Sequence, residues 1–115
     1  PDLMAAEGIL GDIKRSRPQH VTAKQIIDKT ARYYNIDVKD MCSSRRDKFI
    51  ATPRQIAMFL LRSELKMSFP KIAQELGRKD HTTAMHSIEK ITKESLTNVS
   101  IREQINDIKD KLYAH

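Results

Sequence analysis

The sequence predicts an all-α fold: a compact multi-helix domain containing a helix-turn-helix with a basic loop. Three observations carry this. No run sustains the period-two alternation of a half-buried strand. Apolar residues recur at helical spacing in one segment after another, as in Ile101, Ile105, Ile108 and Leu112. Around Gly77, a short apolar segment gives way across a turn to a helix whose first residues are small and hydrogen-bonding.

Taken in order, Leu3, Ala6, Leu10 and Ile13 have helical spacing and predict a first helix, weakened by Gly8 and Gly11. It ends in Lys14-Arg15-Ser16-Arg17-Pro18, a polar run closed by proline. Residues 1–17 therefore read as a helix and linker ending at a boundary, and 18–115 as the domain itself. Thr22 and Gln25 have the capping-box spacing for a second helix, with Ala23, Ile26, Ile27, Ala31 and Tyr34 along one face. A short helix is expected from Val38 to Cys42, and Ser43 through Ala51 reads as loop. Thr52 is expected to cap the next helix, with Pro53 at N1 and Gln55 at N3. Its run Ile56-Ala57-Met58-Phe59-Leu60-Leu61 is apolar nearly all round, which predicts the central helix of the core. Ser68 and Pro70 open a short helix carrying Ile72, Ala73 and Leu76, and Gly77 ends it. A longer helix follows from about His81 to Thr92 with Asp80 as N-cap, and Ser100 and Glu103 are expected to open the last. There are no internal repeats.

At 115 residues the chain is expected to be one domain, large enough for a core without staples. Three Gly and four Pro exclude a low-complexity chain. With no Trp and only six aromatics, wide stacking platforms for single-stranded nucleic acid are not expected. The single cysteine, Cys42, cannot close an internal disulfide, which favours a reducing cytoplasm. No base lies beside it in sequence, so a buried structural thiol is the reading. No run approaches the roughly 18 apolar residues of a membrane span, and no secretory pattern opens the chain. The start at Pro1, without methionine, suggests a piece of a longer protein.

The net charge of +6 is unevenly placed. Residues 43–66 hold Arg45, Arg46, Lys48, Arg54, Arg62 and Lys66 against Asp47 and Glu64, a balance of +4. That concentration, just ahead of the helix-turn-helix, points to a polyanion; the competing reading is a solvated basic face.

At 100° per residue, Thr83, His86, Ser87 and Lys90 fall on one face of the 81–92 helix, while Ala84, Ile88 and Ile91 fall on another. This is the shape of a recognition helix, one face docked in a core and the other free to meet base edges; the alternative is an ordinary capped surface helix. Asp80 could accept from a cytosine amino group, Thr82 and Thr83 could meet thymine methyls, and His81 could bond a purine edge. Asp80 could equally be a pure cap, and His86, a turn further on, reads as partly buried. Arg54 and Gln55 are expected to open the central helix, where the dipole attracts phosphate, although Gln55 would also serve the capping box. His81 and His86 lie five apart, which is not the i, i+4 spacing of a metal pair. No Gly-x-x-x-x-Gly-Lys-Ser/Thr loop is present, so nucleotide binding through such a loop is not expected, and with no other catalytic constellation in view the chain is not expected to be an enzyme.

Lys79-Asp80-His81-Thr82-Thr83, with His86 downstream, resembles the signature of the C-terminal DNA-binding domain of the bacterial chromosomal replication initiator family DnaA. The resemblance continues upstream through Thr52-Pro53-Arg54-Gln55-Ile56-Ala57-Met58 and Ser44-Arg45-Arg46-Asp47-Lys48, and covers Val21 to Ile91. It implies sequence-specific binding of double-stranded DNA at the DnaA boxes of a replication origin. Asp80, His81, Thr82, Thr83 and Ser87 would read bases in the major groove, and Arg46 would enter the minor groove from the basic loop. Arg45, Lys48, Arg54, Gln55, Arg62, Phe69, Pro70, Lys79, Met85 and Lys90 would lie against the backbone or groove. It further implies that the first helix connects to an upstream ATPase module, which alone would bind ATP, leaving this stretch without a cofactor. The setting would be the cytoplasm and nucleoid, with the isolated domain monomeric.

Two departures stand out. Gly77-Arg78-Lys79 replaces what is commonly two glycines and an arginine, so the Arg78 side chain is expected to strain the turn and Lys79 lacks the bidentate fork. Glu89 stands where a basic residue is frequent, which weakens a phosphate contact there. The rival class is a helical protein-interaction module that docks replication regulators.

Overall fold

The computed structural model describes residues 21–113 apart from Arg45 and Lys79. Among these the chain forms six helices and no strand: α1 Ala23–Tyr33, α2 Val38–Met41, α3 Lys48–Leu65, α4 Phe69–Glu75, α5 His81–Thr97 and α6 Val99–Tyr113. The predicted helix over Leu3–Ile13 and the 1–17 boundary lie outside the described residues. No described helix is long and apolar enough to cross a membrane.

The capping box of α1 forms as its spacing predicts. The Gln25 N–H donates to Thr22 Oγ1 at 3.1 Å, and the Thr22 N–H donates to Gln25 Oε1 at 3.0 Å. Ile26, Ile27 and Ala31 then carry its buried face.

The start of α3 differs from expectation. The helix begins at Lys48, with Asp47 rather than Thr52 as N-cap, and Pro53 lies inside it. The Asp47 carbonyl accepts from the N–H groups of Ile50 and Ala51 at 2.9 and 2.7 Å, closing a turn that the proline suggested would be absent. An interior proline costs roughly 3 kcal/mol. Complete burial of Ile50 returns about 1.5–3 kcal/mol. Arg54 supplies the rest: Nε donates to the Met41 carbonyl at 2.7 Å and Nη2 to the Ser43 carbonyl at 3.0 Å, clamping the preceding segment onto the helix. Tertiary burial thus overrides a local start signal.

Beyond Pro53, α3 is the central helix. Ile56, Ala57, Met58, Leu60 and Leu61 are completely buried, and α1, α2, α4 and α5 all pack on it. The apolar stripe Ala84, Ile88 and Ile91 docks α5 there. That helix runs to Thr97, five residues further than expected, and two of its late polar residues bond back along it: the Thr92 hydroxyl to the Ile88 carbonyl and the Ser95 hydroxyl to that of Thr92. The last helix is opened by Asn98, not Ser100, since Asn98 Oδ1 accepts from the N–H groups of Ser100 and Ile101 at 3.0 and 3.3 Å.

Hydroxyl groups fasten α6 to its neighbours. Tyr33 donates to Asp107 at 3.1 Å, Tyr34 to Gln104 at 2.6 Å and Tyr113 to Glu64 at 2.6 Å. Burial pushes the Tyr34 phenol well above its ordinary range. Burial would also raise the Glu64 carboxyl, but the Tyr113 hydroxyl, the Lys109 ammonium 3.5 Å away and the Ser63 hydroxyl outweigh it and hold the group low.

Candidate nucleic-acid interface

The interface is built on α4, the turn after it and the first turns of α5. Ser68 caps α4 by accepting from the Lys71 N–H at 3.4 Å, with Phe69 and Pro70 in its first turn. Leu76 is buried, and Gly77 then takes the left-handed conformation at φ +71°. Glycine is required there twice over: a side chain would be strained by that φ, and its Cβ would stand 3.0 Å from the Cys42 carbonyl oxygen. The turn therefore lies directly on the end of α2. The strain expected at Arg78 does not arise, because the positive φ falls on Gly77 and the Arg78 N–H bonds back to the Ala73 carbonyl at 2.7 Å.

Asp80 is the N-cap of α5. Its Oδ1 accepts from the Thr82 N–H at 2.9 Å. The carboxyl is held below its usual range by that backbone bond first, then by the Thr82 hydroxyl, with His81 and His86 adding a smaller pull against a slight desolvation. The residue stays exposed, so capping leaves its charge on the surface. His81 and Thr83 are exposed beside it, with Thr82 and Met85 half-buried.

Two side chains on α5 depart from expectation. Ser87 is only 8% exposed, sunk beside Ala84 and Ile88 instead of standing on the open face. His86 is exposed, not partly buried, because its position turns away from the α3 contact.

An open hollow of about 360 Å³ joins the basic loop to this helix, lined by Ser44, Arg46, Arg54, Gln55, Arg78, Thr83 and Ser87. It brings together Arg46, Gln55, Thr83 and Ser87, which the sequence places in three separate segments. Arg54 also lines it, but at 8% exposure and with Nε and Nη2 bound to carbonyls its main work is structural. Since α3 starts at Lys48, neither Arg54 nor Gln55 lies at a helix N-terminus, and the dipole-assisted phosphate site expected there does not exist. Gln55 takes no part in capping, and its Oε1 accepts instead from Lys90 Nζ at 3.4 Å, linking α3 to α5.

A further cation sits at the start of α4. Arg62 donates to the Met67 carbonyl at 2.8 Å, and its guanidinium lies 4.6 Å from the centroid of the Phe69 ring, next to exposed Pro70. Arg46 and Lys48 are exposed on the loop and at the first position of α3; Arg45 and Lys79 fall outside the described residues. Cys42 is half-buried rather than buried. Burial pushes its thiol up despite the nearby Arg54 and Arg78 guanidiniums, which disfavours the reactive thiolate. Among the described residues no group of three or more His, Cys, Asp or Glu side chains could hold a metal ion.

What sequence reasoning missed is Ser44 and Arg78. Arg78 was legible only as a departure from a glycine pattern, and its partner lies 35 residues away.

A family described as the bacterial dnaA protein helix-turn-helix matches residues 23–91, from the start of α1 through the docked stripe of α5. The chain belongs to this family. It is 41% identical over 111 residues to the chromosomal replication initiator protein DnaA of Caldanaerobacter subterraneus subsp. tengcongensis, and 40% identical to that of Thermoanaerobacter sp. strain X514. In each case the match covers 96% of this chain and 25% of the relative, so the chain spans about a quarter of the length of these initiators. A crystal structure of a DNA replication initiation factor superposes with a TM-score of 0.71 at 31% identity, covering 79% of this chain and 28% of the other. The chain is thus an all-α, DNA-binding helix-turn-helix domain of the DnaA replication-initiation family.

Proposed function

We propose that this domain recognises specific double-stranded sites, the DnaA boxes of a replication origin, with α5 in the major groove and Arg46 in the adjacent minor groove. The observation that carries this reading is the hollow in which Arg46 of the loop and Thr83 and Ser87 of α5 face one space. A helix and a flanking cation arranged on one concavity suit two adjacent grooves of one duplex. His81, Thr82 and Thr83 read base edges from the first turn of α5. Asp80 caps the helix and accepts from a cytosine amino group, and Ser87 acts from the floor of the hollow. Lys48, Arg62 and Lys90 meet phosphates; Phe69, Pro70 and Met85 pack along the backbone and groove; Gln55 orients Lys90. Arg45 and Lys79 supply further backbone or groove contacts, while Arg54 acts chiefly by holding the loop.

In the same reading, residues 1–17 connect to an upstream ATPase module that holds the ATP site, and the domain works as a monomer on nucleoid DNA in the cytoplasm. The test is titration of a labelled origin-site duplex and a scrambled one at two salt concentrations. Tighter origin binding that persists at high salt is expected. Equal affinities that vanish together with salt would leave a sequence-blind cationic surface and defeat the reading.

A further inference from the structure

We propose that Arg78 is a positioning residue for DNA reading: it ties the basic loop to the helix-turn-helix and presets Arg46 for the minor groove. The inference rests on the groove assignment of Arg46 made above. Its geometry is independent of that assignment. Arg78 Nη2 donates to the Ser43 carbonyl at 2.6 Å, a bond that crosses 35 residues of chain and joins the turn before α5 to the start of the loop. Arg54 Nη2 donates to the same carbonyl at 3.0 Å and Arg54 Nε to that of Met41 at 2.7 Å, so the segment 41–43 is held from both α3 and the turn. The backbones touch as well, since Gly77 leaves room for the Cys42 carbonyl and for nothing larger. Arg46 follows Ser43 by three residues, at most about 10 Å of extended chain, so fixing Ser43 restricts where the Arg46 side chain begins.

A direct phosphate contact is the natural rival for an arginine at such a surface. The side-on edge of the guanidinium, Nε with Nη2, is the one that grips a phosphate through two bonds. In Arg78 that edge is turned inward: Nη2 is on Ser43, and Nε is buried without a hydrogen-bond partner. The cost of that unpaired Nε, with a second guanidinium, that of Arg54, on the same carbonyl, is sustained at a place where the return is a fixed loop.

The test measures affinities of the folded domain for origin-site duplexes with A/T-rich and G/C-rich flanks. The variants are Arg46→Ala, Arg78→Gly, Arg78→Met and the double variants with Arg46→Ala. Arg78→Gly removes the side chain altogether, and Arg78→Met keeps the stem packed should the glycine variant lose stability. Either Arg78 variant should lose about three- to tenfold on the A/T-flanked duplex and little on the other. Each double variant should bind no worse than Arg46→Ala alone. Amides of residues 43–46 should exchange faster in the Arg78 variants without DNA. If Arg46→Ala is indifferent to the flank, the groove assignment itself fails. If Arg46→Ala depends on the flank but the Arg78 losses simply add, or fall equally on both duplexes with a salt slope lower by about one, the positioning role fails and Arg78 is a phosphate contact.

Discussion

The α6 side of the molecule and the α5 entrance are both held by polar side chains, but by opposite kinds of bond. Along α6, tyrosine hydroxyls meet Asp107, Gln104 and Glu64, and Lys109 faces Glu64 at 3.5 Å. At the entrance, two arginines bond backbone carbonyls, Arg54 to Met41 and Ser43 and Arg78 to Ser43, and at the start of α4 Arg62 bonds that of Met67. A carboxylate partner cancels an arginine's charge, whereas a carbonyl fixes its position and leaves the charge in place. A surface that must attract a polyanion gains from the second arrangement, and a face that only closes the core does not need it. The entrance is therefore ordered by arginines held on backbone carbonyls, beside the exposed Arg46 and Lys48.

The largest effect that would break this comparison is at Arg54. Arg54→Met removes two charge-assisted bonds around a group only 8% exposed, each worth roughly 1.5–3 kcal/mol. Stability should fall by about 3 kcal/mol or more on chemical denaturation. Binding should suffer as well, through the loop, and more on an A/T-flanked duplex than on a G/C-flanked one. An unchanged denaturation midpoint would show that the carbonyl clamps do not order the entrance.

Next in size are the residues proposed to read bases. Thr83→Ala or His81→Ala should lower affinity for the origin site, relative to random DNA, by about 1–3 kcal/mol for each well-formed base interaction that the substitution removes, with melting unchanged. Parallel losses on both duplexes would remove these residues from sequence reading. Arg62→Ala should instead weaken all duplexes similarly and reduce the salt slope by about one unit.

Much of this contrast was legible in the sequence, and the exceptions share a cause. The α1 capping box, the Ser68 and Asp80 caps, the Gly77 turn and the apolar run of α3 are local signals, and each forms where its residues predict. Pro53 misled because proline marks a first helical turn only when nothing further upstream is buried, and Ile50 is. Ser87 misled because a helical wheel gives the angle of a side chain but not how far the packed surface reaches around the helix from Ala84 and Ile88. Arg78 was unreadable because its partner carbonyl lies across the fold.

Smaller effects sharpen the comparison through pH and charge. Glu64 is held low, so its contribution is complete above the unfolded carboxyl value near 4.3 and is lost as pH falls through the depressed folded value. Glu64→Gln should flatten the acid limb of the stability profile, followed by melting from pH 7 to pH 2, and leave DNA discrimination intact. Asp80 has the same sign: its cap weakens only as pH falls below the ordinary aspartate range. Asp80→Asn should keep the cap, melt almost as the parent does, and bind random DNA slightly more tightly while discriminating less at a cytosine pair. Asp80→Ala should lower the melting temperature as well. Full discrimination in the Asn variant would reduce Asp80 to a cap.

The central claim is that the loop and the first turns of α5 form one DNA-reading surface while the α6 side only closes the core. Amide shift mapping by NMR during titration with an origin-site duplex tests it most directly. The account predicts the largest shifts at Ser44, Arg46, Gln55 and residues 81–87, with Gln104, Asp107 and Tyr113 nearly unmoved. Shifts centred on Tyr33, Asp107 and Lys111, with the hollow silent, would contradict it.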